Sequence, residues 1–100
     1  INALNNRDRG AFVGEAVAAA FDNDGGDHSV VMMNLSQGHS ANFSAEDTRL
    51  YANVKYDGVF YGLWIVDGGS LTNTGDGGYI NWGFQGWYDR DGQTVTFHRP

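Results

Sequence analysis

The sequence predicts an all-β fold, a small antiparallel β-sandwich or jelly roll of roughly six to eight strands. Three observations carry that expectation. Arg49-Leu50-Tyr51-Ala52-Asn53-Val54-Lys55-Tyr56 alternates along its length, as a half-buried strand does. Asp57-Gly58 follows, a strong two-residue hairpin signal, and residues 59–66 form a second β-rich run. Residues 79–88 and 93–98 are two further runs joined by Asp89-Arg90-Asp91-Gly92, read as a three-residue hairpin loop with Gly92 in the left-handed region.

The hairpin at Asp57-Gly58 fixes a register. A type I′ turn pairs Tyr56 with Val59, Val54 with Tyr61, Ala52 with Leu63 and Leu50 with Ile65, an apolar face that belongs to the core. The opposite face sets Tyr51 beside Trp64, Lys55 beside Phe60 and Asn53 beside Gly62, which reads as half exposed.

Upstream the signals are mixed. Residues 1–10 read as a loop or loose arm. In residues 11–21 the apolar residues Phe12, Val13, Ala16, Val17, Ala20 and Phe21 fall at helical spacing, but Gly14 is costly inside a helix. A hairpin of residues 15–21 with 28–34 fits as well, across the acidic turn Asp22-Asn23-Asp24-Gly25-Gly26-Asp27. Strand is the reading adopted because everything downstream is β. The alternative is an α+β fold with one helix at residues 11–21 packed on an antiparallel sheet. Residues 35–48 connect, with a single helical turn at Ser44-Ala45-Glu46-Asp47, which has capping-box spacing. Downstream, residues 80, 82, 84 and 88 share one face while Val95 and Phe97 pair with the side of Trp87; a β-bulge near Gly86 reconciles them.

With 100 residues and 41% hydrophobic content, the chain reads as one domain, residues 1–100, with a modest core of its own. The absence of cysteine removes disulfides, thiolate zinc sites and thiol catalysis. A net charge of −6, with Lys55 the only lysine, works against nucleic acid or an anionic membrane as partner. No apolar run is long enough for a membrane span. Few charges with abundant Gly, Asn, Ser and Thr suggest an extracellular, secreted protein.

Several constellations fall short of a chemistry. The acidic turn at residues 22–27 is close to a calcium loop, but Asp27 takes the glycine position and Met33 that of the bidentate Glu. His28, His39 and His98 show no ligand spacing, and no cofactor motif is present. Asp67 and Asp76 are candidates for a glycosidase pair, which needs its carboxyls about 5–10 Å apart. Asn34-Leu35-Ser36 and Asn42-Phe43-Ser44 are sequons.

The functional emphasis falls on residues 63–88, which hold all three tryptophans and seven of the fifteen glycines. Candidate carbohydrate-binding residues there and nearby are Tyr51, Trp64, Asp67, Asn73, Asp76, Tyr79, Asn81, Trp82 and Trp87. Sugars rest their C–H faces on aromatic rings, and their hydroxyls match carboxylates and amides. In composition and layout the chain resembles small lectin-like β-proteins. The expected function is a secreted, non-enzymatic sugar-binding module with a glycan or glycoconjugate as partner, no metal and no cofactor. The rivals are a protein-binding module, such as an enzyme inhibitor or secreted effector, and a small glycoside hydrolase. A homodimer is compatible with the sequence.

Overall fold

The computed structural model describes residues 9–78 and 80–100 of the chain. Residues 1–8 and Tyr79 lie outside the described residues. One helix, α1 (Arg9–Asn23), precedes eight strands: β1 (Ser29–Asn34), β2 (His39–Asn42), β3 (Thr48–Tyr56), β4 (Val59–Val66), β5 (Gly69–Asn73), β6 (Trp82–Gln85), β7 (Tyr88–Asp91) and β8 (Thr94–Phe97). The strands form two four-stranded antiparallel sheets, ordered β3-β4-β1-β6 and β2-β5-β8-β7. The fold is mostly β with one helix, which agrees with the α+β alternative.

Residues 11–21 are helical, and this corrects the strand reading. Phe12, Val13 and Val17 are buried, with Ala16, Ala20 and Phe21 packed partly beside them, so one face of α1 is apolar. Gly14 lies on the exposed side. Its cost is then only the intrinsic one, about 1 kcal/mol, and the five alanines of α1, of high helix propensity, offset it. The acidic stretch at residues 22–27 is a helix stop, not a hairpin turn. Gly26 N–H donates to Phe21 O and Gly25 N–H to Asp22 O, both at 3.0 Å, the paired bonds of a Schellman cap. Gly25 supplies the required left-handed backbone at φ 77°.

Strand β1 is buried on both faces, which explains why its apolar run does not alternate. Val30 and Met32 join Tyr56, Tyr61, Leu63 and Ile65 against α1. Val31 and Met33 join Trp64, Val66 and Trp82 on the other face, in a cluster that includes Leu71, Val95 and Phe97 of the second sheet.

The β3–β4 hairpin has the expected register from Tyr56↔Val59 through Leu50↔Ile65. Asp57 and Gly58 sit at φ 52° and 75°, as a type I′ turn requires. The α1 side of the hairpin is only partly core, since Leu50 stays 45% exposed.

Downstream, residues 79–88 are not one strand. Gly86, at φ 127°, lets the chain leave the first sheet as β6 and enter the second as β7. Here only glycine fits, because a Cβ on residue 86 would stand 2.7 Å from Ser29 Cα. Trp87 N–H donates to Ser29 Oγ at 2.9 Å, fixing the crossing. The facing conflict expected to produce a bulge is thus resolved by a change of sheet. The β7–β8 loop is two residues long, Gly92-Gln93, rather than three, with Gly92 at φ 59° as expected. Within residues 35–48 the chain forms strand β2 against β5, and residues 44–47 close a plain turn instead of a helical one. Asp47 N–H there reaches both the carbonyl and the hydroxyl of Ser44 at 3.2 Å.

Candidate functional site

The glycine-rich segment after β5 is stitched to both sheets through its own amides. Asn73 is buried, donates from Nδ2 to Asp76 O at 3.0 Å and accepts from Gly75 N–H at 2.9 Å. Asn81 is buried as well; its Oδ1 accepts from Asn34 Nδ2 at 3.0 Å and its Nδ2 donates to Asp76 O at 3.4 Å. Trp82 is buried and donates from Nε1 to Gly77 O at 3.0 Å. Gln37 Oε1 accepts from Asp76 N–H at 3.0 Å, and the Gln93 amide donates to Asn73 O. These bonds satisfy buried polar groups, which is what amides in tight turns ordinarily do. Asn34 is itself buried and also accepts from Ser36 N–H and Oγ. A glycan on that sequon is incompatible with this fold.

The eight candidate residues that the structure describes are therefore not gathered into one cleft. Asn73, Asn81 and Trp82 are interior, with their polar atoms engaged. Trp64 is only 9% exposed and packs against Phe43 and Tyr51, so it is not the half-solvated ring that the register suggested. Asp76 is exposed at one end of β5, its Oδ1 accepting from Gly78 N–H at 2.9 Å. Asp67 lies beyond the other end, and the five residues of β5 that intervene span roughly 15 Å. That separation exceeds what a glycosidase pair requires. Trp87 is half-buried against Phe21 of α1, 5.8 Å between ring centres. Tyr79 lies outside the described residues.

Asp67 belongs to a different constellation, one that residue-type reasoning missed. His28 Nδ1 lies 2.9 Å from Asp24 Oδ2, and its Nε2 lies 3.4 Å from Asp67 Oδ1. Asp67 Oδ2 in turn meets Arg49 Nε at 3.2 Å, and Arg49 also donates to Glu46 O. The four side chains tie the end of α1 to β3 and to the end of β4. The only signal in the sequence was the four-residue step from Asp24 to His28. Each ring nitrogen of His28 faces a carboxylate, an arrangement that links the end of α1 to the end of β4. Among the described residues no group of three or more His, Asp or Glu converges as a metal site would require.

What the structure does present to solvent is the face of the β3–β4 hairpin away from α1. Tyr51 is 47% exposed and Phe60 53%. The Tyr51 ring rests on Trp64 at 5.0 Å and its hydroxyl donates to Asn53 Oδ1 at 3.0 Å. Lys55 Nζ sits 5.2 Å from the centre of the Phe60 ring. Asn53, Lys55 and Phe60 were not among the candidate residues, although the hairpin register had already placed them on the face of Tyr51. A second aromatic group runs along β6 and β7. There Arg90 lies over Trp82 and Phe84 at 5.3 and 5.6 Å, and the exposed Tyr88 meets Phe84 edge-on at 4.9 Å. Between α1 and the hairpin runs an apolar groove of about 400 Å³, floored by Phe12, Ala16, Ala20, Val54 and Leu63. No helix among the described residues is long and apolar enough to cross a membrane.

The geometry defines a mostly β protein with one helix and an exposed aromatic hairpin face. Among known proteins, the chain is similar to the "Stress response protein YvgO" of Bacillus subtilis (strain 168), 43% identical over 100 residues. That similarity covers all of this chain and 60% of the relative's length. No family model matches the sequence, and no solved structure matches it.

Proposed function

We propose that the chain is a secreted, non-enzymatic carbohydrate-binding module built as a sandwich of its two sheets, and that sugar binds on the hairpin face rather than in the glycine-rich loop. The observation that carries this reading is the pair of exposed rings, Tyr51 and Phe60, held on a rigid antiparallel ribbon with Asn53 and Lys55 between them. Rings already braced by Trp64 and Lys55 lose little conformational freedom on binding, so more of the stacking energy appears as affinity. Asn53 supplies an acceptor and donors for sugar hydroxyls, and Lys55 supplies donors. The cluster that joins residues of both sheets supports the sandwich arrangement.

A second reading, a protein-binding module, is favoured by the exposed Leu50 and Tyr51 on a strand at the edge of its sheet. A glycan array probed with the parent protein and with Tyr51→Ala separates the two. Selective binding by the parent, lost in the variant, supports the sugar reading. A parent that binds no glycan across a broad array overturns it.

A further inference from the structure

Strand β3 differs from the other strands that end the two sheets. The outer strands β6, β2 and β7 have four residues each, whereas β3 has nine. Short edges are a common protection against unwanted pairing, and a long regular edge is a template for another strand. In the order of its sheet β3 has β4 on one side and no strand among the described residues on the other.

The phase of its main-chain groups follows from the turn. Tyr56 and Val59 flank a two-residue type I′ loop and so form a hydrogen-bonded pair. Alternation then directs the main chain of Tyr56, Val54 and Ala52 toward β4. It directs that of Lys55, Asn53 and Tyr51 outward.

We propose that β3 is a homodimerisation edge, pairing antiparallel with β3 of a second copy about a two-fold axis at Asn53. Three registers, centred on residues 52, 53 or 54, pair at least two of the outward-facing residues 51, 53 and 55 with their counterparts in the partner. Centring on Ala52 sets Lys55 opposite the partner's Arg49, which lies at the irregular step of β3 and is already paired with Asp67, so the ammonium gains no ring or counter-charge. Centring on Val54 sets Lys55 opposite the partner's Asn53, where its charge gains no ring or counter-charge. Centring on Asn53 sets Tyr51 opposite the partner's Lys55, and Lys55 opposite the partner's Tyr51. Each ammonium then stands between its own Phe60, 5.2 Å away, and a tyrosine of the other subunit. The two hairpin faces become one continuous ribbon across the axis, which would double any ligand platform they carry. The pairing itself does not depend on what that platform binds.

The chain has no cysteine, so single cysteines report the register cleanly. At the axis, Asn53 and the partner's Asn53 form a hydrogen-bonded pair with Cα atoms about 5.5 Å apart, within disulfide reach. Lys55 and the partner's Lys55 are offset by four residues, about 13 Å, and are out of reach. Under mild oxidation Asn53→Cys is expected to form a disulfide-linked dimer and Lys55→Cys to remain monomeric. A mixture of Tyr51→Cys and Lys55→Cys proteins is expected to yield the mixed dimer. The chosen positions lie on the exposed side of β3, and cooperative melting of each variant confirms that it is folded. Failure of folded Asn53→Cys to cross-link overturns the proposal. Equal cross-linking by Asn53→Cys and Lys55→Cys overturns it too, since that is random collision.

Discussion

The ring of Tyr51 lies 5.0 Å from that of Trp64 across the β3–β4 ladder, tilted by 49°. Although they are direct cross-strand neighbours, Tyr51 is 47% exposed and Trp64 only 9%. The indole folds back over Gly62, where a Cβ would stand 2.7 Å from its ring, and Phe43 closes the other side at 5.6 Å. Gly62 thus provides the space that lets Trp64 lie flat. The buried ring supports the exposed one, and the two residues should respond differently to truncation.

Trp64→Ala removes an interior ring that touches both core and platform, and is expected to cost about 3–5 kcal/mol. Tyr51→Ala removes a half-exposed ring and is expected to cost less than about 1 kcal/mol. Urea unfolding of the two variants checks this. Equal losses would show that Trp64 is not the supporting ring.

The amide pair Asn34–Asn81 joins β1 to the segment that opens β6. In Asn81→Ala the buried Asn34 amide loses its acceptor, at an expected cost of about 1–3 kcal/mol. Asp76→Ala removes only an exposed carboxylate and should leave the midpoint within about 0.5 kcal/mol. Measured the other way round, with Asp76 the sensitive position, the loop would be braced by that carboxylate and its bond from Gly78 N–H rather than by the buried amide pair.

Two glycines should give opposite signs. Gly86→Ala places a Cβ against Ser29 at a φ that side chains rarely adopt, and is expected to destabilise by about 2 kcal/mol or more. Gly14→Ala, on the open side of α1, is expected to stabilise by about 0.5–1 kcal/mol. Thermal unfolding of both variants reads the difference. Destabilisation by Gly14→Ala would contradict the helix.

The β3–β4 hairpin was legible to the residue because alternation and an Asp-Gly turn constrain register independently. The helix was not. Gly14 and the surrounding β signals weighed against it, and the outcome depended on a sheet for residues 12, 13 and 17 to pack on, which lies later in the chain. Strand β2, His39-Ser40-Ala41-Asn42, carries no apolar pattern because almost all of it faces solvent, and only pairing with β5 reveals it. The run from residue 79 to 88 looked continuous because the break at Gly86 depends on Ser29, nearly sixty residues away. The candidate site drew on residue types that suit sugars. The same amides and indoles also suit a buried loop, and residue type alone does not tell the two apart. The register placed Tyr51 and Trp64 on one face, and of the two Tyr51 stayed at the surface while Trp64 was covered.

The most direct test of the account is titration of an oligosaccharide selected on the array against four proteins: parent, Tyr51→Ala, Phe60→Ala and Asp76→Ala. The account expects Tyr51→Ala and Phe60→Ala each to weaken binding at least tenfold, about 1.4 kcal/mol, with cooperative melting retained. It expects Asp76→Ala to bind like the parent. If Tyr51→Ala and Phe60→Ala bind unchanged while Asp76→Ala loses affinity, the sugar site is in the glycine-rich loop and the hairpin face is not the platform.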